Sequence, residues 1–387
     1  MSGSAIALLL VLGLVLQATP LHASGRLLFQ ASPTSSSGSN TTTGAAVPST
    51  CIAPRDAADA PKGPFCYVPP TISPQAQEFL RVTYAQAPFE ISESSTDISA
   101  QRAGIAASFA KLGGAVNISD YLVDQRNVTL GGVPSVISTP VDIRGGSSGV
   151  NSSVIFWLHG GGYFVGSCYG PQVITVAGAA KAGGLTIVCP EYRLAPENPF
   201  PAGLDDAVAA YKALIQDYPP TRVAVVGDSA GGGLAMALLL RLQQEGVALP
   251  GAVGLLSPWT DLLVTGDTTR IMPGIDPLLY GNSTSVSDAY VGGNSTLLKN
   301  PLVSPLYGNY STAAVGDLPP ILIQVGLREV LLSDSVNLYR QLRRGGQPAT
   351  LDVWEGMFHV FPSYAFLPEA QEAATAMGAY LRARLQG

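Results

Sequence analysis

The chain has 387 residues, 47% of them hydrophobic and only 12% charged, with a net charge of −6. That is ample apolar material for one large core, and without a basic run there is no footprint for nucleic acid or an anionic membrane. No residue pattern has the spacing of a metal or dinucleotide site, so no metal and no cofactor is expected.

Residues 5–16 form an apolar run broken only by Gly13, and small residues follow at Ala18, Ala23 and Ser24. The run is too short to span a bilayer comfortably. Residues 1–23 therefore read as a cleaved signal peptide, with a signal anchor as the alternative. Cleavage would leave a protein without a membrane span. A secretory route is predicted, ending outside the cell, in a vacuole or in a wall. Residues 24–66 read as a low-complexity leader with a cysteine pair, since the Ser, Thr, Gly and Pro of 32–50 cannot build a core. Sequons at Asn40, Asn117, Asn127, Asn151, Asn282, Asn294 and Asn309 suit a glycoprotein on the same route. So do the four cysteines. Cys51 and Cys66 flank a Pro-rich stretch and are the first candidate disulfide. Cys168 and Cys189 could pair, or Cys189 could be a buried free thiol at a strand end.

Helical spacing recurs over residues 73–87 and 97–113, with Phe79, Leu80, Ile105, Phe109 and Leu112 as apolar positions. Residues 123–141 read as a hairpin around Gly131-Gly132. From residue 153 onward strands alternate with helices, which predicts an α/β fold with a mostly parallel central sheet. Residues 205–215 and 371–385 supply covering helices. Residues 259–305 turn rich in Gly, Ser and Asn and read as an insertion.

Three stretches carry chemistry. After the strand at 153–158 comes His159-Gly160-Gly161-Gly162. Glycines after a strand can offer backbone N–H groups to a ligand, because no Cβ blocks approach. Such groups could hold the negative oxygen of a tetrahedral intermediate. Gly161 and Gly162 are the candidate donors, with the Ala230 N–H as the third, and His159 as the residue that orders the loop. A plain turn is the alternative. Next, the strand at 222–226 runs into Gly227-Asp228-Ser229-Ala230-Gly231-Gly232, and a smooth apolar helix follows. Strand, tight glycine turn and helix are the setting of a nucleophile elbow, with Ser229 at its tip. Of the three histidines, His22 lies in the targeting segment and His159 in the glycine run. His359 remains as the general base, although a histidine beside aromatics is often only packed. The acid has two candidates. Glu329 directly follows the predicted strand at 318–326, where acids that orient a histidine sit. Asp334 lies at a helix start, where Asp usually caps, so Glu329 is preferred. Tyr163, Phe164, Phe358 and Phe361 flank these motifs and suggest an apolar substrate pocket.

Together with Glu191-Tyr192-Arg193-Leu194-Ala195-Pro196-Glu197 and Gly356-Met357-Phe358-His359, these stretches resemble the hormone-sensitive-lipase-like (class IV) esterases of the α/β-hydrolase superfamily. The resemblance implies an α/β-hydrolase catalytic domain at 121–387, capped by helices of 67–120 and by the 259–305 insertion. It implies a Ser nucleophile, a His base, an acid and a three-donor oxyanion hole. The expected activity is serine carboxylesterase action on small-molecule esters, short to medium in chain and uncharged, through an acyl-enzyme. Many members carry Asp-Pro-Leu at the acid, where this chain has Glu329-Val330-Leu331. An amidase, an arylformamidase or a lipase could use the same triad. The gibberellin receptors resemble the family but lack the catalytic His, so His359 argues against a non-catalytic receptor. Nothing in the sequence addresses oligomeric state.

Overall fold

The computed structural model describes residues 67–84, 102, 117–141, 153–279 and 284–385. The signal-peptide and leader readings, the Cys51–Cys66 pair and nearly all of 97–113 lie outside the described residues.

The strands are β1 (Leu122–Leu130), β2 (Val133–Pro140), β3 (Val154–Leu158), β4 (Thr186–Pro190), β5 (Val223–Asp228), β6 (Ala252–Leu256), β7 (Ile321–Gly326) and β8 (Ala349–Trp354). They form one sheet in the order β1-β2-β4-β3-β5-β6-β7-β8. β2 runs antiparallel to both of its neighbours, and every pairing from β4 to β8 is parallel. The hairpin falls where the glycine pair predicts it. The longer helices are α1 (Pro74–Tyr84), α2 (Ile174–Gly183), α3 (Ala202–Asp217), α4 (Ala230–Gln244), α5 (Leu332–Arg344) and α6 (Pro368–Arg384). Among the described residues no helix is long and apolar enough to cross a membrane.

β3, β5, β6 and β7 are buried along their whole length. Helices cover both faces of a parallel sheet, so such strands are apolar at every position and do not alternate with polar residues. Alternate side chains then serve opposite layers. Phe156, Val225 and Leu255 pack with Leu204 of α3, Leu238 of α4 and Leu338 of α5. Ile155, Trp157 and Val226 pack with Val176 of α2 and with Met377 and Leu381 of α6. Each such aliphatic side chain contributes roughly 1.5–3 kcal/mol by burial. A third cluster joins Ala76 and Leu80 of α1 to Leu278 of the insertion and to Met357, Phe358 and Phe361. α1 therefore packs on the loop after β8 and on the insertion, not on an outer face of the sheet. The Tyr84 hydroxyl donates to the Ile275 carbonyl at 2.7 Å, which fixes the same contact.

Cys168 and Cys189 form a disulfide. The free-thiol reading of Cys189 is thereby corrected. Cys168 follows the glycine loop after β3 and Cys189 lies in β4, and the two chains run close enough for the bond to close. It ties that loop to the sheet.

Candidate active site

β5 ends at Asp228 and α4 begins at Ala230. Ser229 between them is held at φ 52°, ψ −122°. A non-glycine residue there carries about 1–3 kcal/mol of strain and persists only where its surroundings fix it. Here the Ser229 N–H donates to the Leu256 carbonyl at 2.9 Å, and its own carbonyl accepts from Gly232, Gly233 and Trp259. The turn also needs its glycines. A Cβ on Gly227 would stand 2.2 Å from the Gly231 carbonyl oxygen, and one on Gly231 would stand 2.0 Å from that of Leu158.

His359 Nε2 lies 3.0 Å from Ser229 Oγ. Its other nitrogen, Nδ1, faces Glu329 Oε1 at 3.5 Å. Glu329 Oε2 accepts from Ser257 Oγ at 2.7 Å and from the Gly326 N–H at 2.9 Å, which leaves Oε1 aimed at the imidazole. Asp334, the alternative acid, is turned elsewhere. Its Oδ2 accepts the Thr260 and Asp261 N–H groups at 2.7 and 2.8 Å, and burial pushes its carboxyl up to about 7.

A protein-family model described as alpha/beta hydrolase fold matches residues 155–363. An acetyl-hydrolase of Streptomyces hygroscopicus is 39% identical over 231 residues, covering 59% of this chain and 75% of that protein. The crystal structure of an esterase from the bacterial hormone-sensitive lipase family superposes with a TM-score of 0.68 at 32% identity, covering 84% of this chain and 99% of that one. That of EstE5, soaked with p-nitrophenyl butyrate, gives 0.70 at 29% identity, covering 81% and 100%. The chain belongs to the α/β-hydrolase family, among its hormone-sensitive-lipase-like esterases. As such it is a carboxylic ester hydrolase of the serine class.

In this esterase the glycine loop adopts backbone angles open to glycine. Gly161 has φ +115° and Gly162 φ +65°. The Phe164 and Val165 N–H groups close the turn on the Gly161 carbonyl at 3.0 and 2.9 Å. Among the described residues no acceptor takes the N–H of Gly161, Gly162 or Ala230. His159 packs at the base of the loop. It stacks on Tyr192 with ring centroids 4.3 Å apart, and its Nδ1 lies 2.8 Å from the Gly160 carbonyl oxygen. A carbonyl only accepts, so Nδ1 carries the proton. Burial lowers the His159 pKa and keeps the ring neutral.

The four aromatic residues divide. Tyr163 stacks on Tyr290 of the insertion at 3.8 Å, and Phe164 is half-buried. Phe358 and Phe361 are wholly buried. Phe358 stacks on Phe79 of α1 at 4.9 Å. Both brace the loop that carries His359.

Electrostatics raise the basicity of the His359 imidazole. Burial alone would lower the His359 pKa. Glu329, with Asp276 and Asp228 beyond it, overcomes that and raises it above the ordinary 6.5. Burial pushes Asp228 up to about 6, while the Trp157 indole N–H, donating at 2.8 Å, works the other way. Among the described residues no group of three His, Cys, Asp or Glu side chains is arranged to hold a metal.

Sequence reasoning missed Ser257. It follows β6 at φ 47° and is 1% exposed. Its hydroxyl donates to Glu329 and accepts the Val360 N–H at 3.0 Å, so one atom joins the acid loop to the histidine loop. The Ser-Pro-Trp-Thr sequence after a strand carries no such signal. Ser257→Ala should lower kcat about 10- to 100-fold with KM little changed, the cost of a lost bond to a buried charge. Steady-state kinetics beside circular dichroism would check this, and an unchanged kcat would exclude the role.

Proposed function

We propose that the protein hydrolyses short- to medium-chain uncharged esters through an acyl-enzyme formed on Ser229. The observation that carries this reading is the 3.0 Å approach of His359 Nε2 to the oxygen of a serine held on a strained elbow. In the first step Ser229 Oγ attacks the ester carbonyl carbon while His359 Nε2 takes the hydroxyl proton. The carbonyl oxygen becomes negative and is met by the N–H groups of Gly161, Gly162 and Ala230, for which no acceptor is found among the described residues. Glu329 stabilises the imidazolium and keeps Nδ1 protonated. His359 then gives its proton to the alcohol oxygen, and the C–O bond breaks. Water attacks the acyl-enzyme in the same way, its proton passing through His359 back to Ser229 Oγ, and the acid leaves.

The insertion supports a small acyl group. A Cβ on Gly162 would stand 3.0 Å from Val286 Cγ1, and Tyr163 is stacked against Tyr290. Hydrolysis of p-nitrophenyl esters from acetate to palmitate tests the reading. Turnover should peak at the short chains and fall steeply beyond them. A maximum at palmitate, or a rate that rises at an oil–water interface, would favour a lipase. No turnover at any length would return the receptor reading.

A secretory route is proposed alongside. Two observations support it. The Cys168–Cys189 disulfide suits an oxidising compartment. The described sequon residues Asn117, Asn127, Asn294 and Asn309 are all exposed.

A further inference from the structure

Asp276 lies in the insertion and has no part in the chemistry above, yet it is wholly buried against it. Its Oδ1 accepts the Leu278 and Leu279 N–H groups at 3.0 and 3.3 Å. Its Oδ2 accepts the Val330 N–H at 3.1 Å. Val330 directly follows Glu329, so this carboxylate pins the backbone of the acid itself. The titratable groups facing it come from each element around it. Glu329 faces it from the acid loop and His359 from the loop after β8. Tyr84 faces it from α1 and Tyr364 from the turn beyond His359. Arg328 reaches this side only through the Tyr84 hydroxyl, at 3.2 Å. Among the described residues no Lys or Arg forms an ion pair with Asp276. A buried carboxylate without such a partner is costly. Among the described residues, the cation whose charge acts on it is His359 once protonated.

We propose that Asp276 is a positioning residue of the ester-hydrolysing centre, which clamps the Glu329 loop through the Val330 N–H and adds a second negative charge that stabilises protonated His359. The inference rests on the Ser229–His359–Glu329 reading. When His359 takes the proton of Ser229 it becomes a cation in a site shielded from water, where a nearby negative charge acts more strongly than it would in solvent. Burial pushes the Asp276 carboxyl up to about 7, within the range where the imidazole titrates. The two groups then gain and lose protons as a coupled pair.

The sign follows. A neighbouring negative charge favours imidazolium, so it raises the His359 pKa and moves the acid limb of kcat/KM to higher pH. Asp276→Asn removes the charge. It also leaves an amide NH2 facing either the Val330 N–H or, with the side chain turned over, both the Leu278 and Leu279 N–H groups. We expect kcat/KM on p-nitrophenyl acetate to fall about tenfold at its optimum, the cost of one charged hydrogen bond. We expect its acid limb to move to lower pH, and NMR of the His359 ring protons to show the same fall. With three histidines in the chain, that signal can be assigned. Asp276→Ser, smaller and able to turn its hydroxyl toward its neighbours, should give the same shift. A His359 titration and a pH profile that overlie wild type in either folded variant would overturn the proposal. If neither variant folds while Asp334→Ala does, Asp276 is a structural residue and the proposal is again overturned. Activity persisting in Ser229→Ala would instead overturn the reading on which it rests.

Discussion

Replacing Ser229 by Ala should lower kcat by about four orders of magnitude or more, with substrate binding nearly unchanged. A 10⁴-fold loss corresponds to about 5.5 kcal/mol of transition-state stabilisation. The loss is large because nucleophile and base act as one unit. His359 Nε2 then has no hydroxyl at 3.0 Å to deprotonate, and the oxyanion donors have no covalent intermediate to hold. Residual turnover should reflect only oxyanion-hole binding and orientation. A second substitution separates chemistry from strain. Ala keeps the Cβ and with it the cost of φ 52°. Ser229→Gly removes that cost, about 1–3 kcal/mol, against the roughly 0.5–1 kcal/mol that glycine adds to the unfolded chain's freedom. The glycine variant should therefore be as inactive as the alanine variant but more stable than wild type by about 1 kcal/mol. Steady-state kinetics and denaturant unfolding of the two variants would show this. A variant retaining a tenth of wild-type activity would remove Ser229 from the chemistry.

The elbow was legible in the sequence because its residues are constrained locally. Gly227 and Gly231 are required by contacts within a few residues or with the adjacent strand. The parallel core was legible for a related reason. β3, β5, β6 and β7 are covered on both faces, so each reads as an unbroken apolar run. Ser257 and Asp276 were not legible. Ser257 acts on Glu329, 72 positions away, and Asp276 on Val330, 54 positions away. No local pattern reports a contact made by folding alone. The inward packing of Phe358 and Phe361 was not legible for the same reason. Their aromatic character was plain, but only the packing of α1 shows that they face inward.

Distance along the chain also explains why two acids competed in the sequence. Glu329 and Asp334 lie five positions apart around the start of α5, and both are buried. What separates them is what each carboxylate accepts, and that makes two opposite predictions. Glu329→Gln keeps size and shape. The amide oxygen takes the place of Oε2, where Ser257 and the Gly326 N–H donate. Its NH2 must then face His359 Nδ1. An amide NH2 donates, so Nδ1 has to accept, and the ring proton moves to Nε2. A protonated Nε2 cannot take the proton of Ser229. We expect a fold of near-normal stability and a fall in kcat of about 10³–10⁴, as for other triads whose acid becomes an amide. Asp334→Ala should do the reverse. It strips the acceptor from the buried Thr260 and Asp261 N–H groups. The expected cost is about 2–4 kcal/mol of stability, from two unmet donors at roughly 1–2 kcal/mol each. The activity of the remaining folded molecules should stay close to wild type, since Asp334 does not meet His359. Asp334→Asn should restore most of the stability, because its carbonyl oxygen can still accept both groups. Denaturant midpoints and active-site-titrated kcat values for the three variants would place each acid. A kcat loss in Asp334→Ala larger than that in Glu329→Gln would exchange their roles.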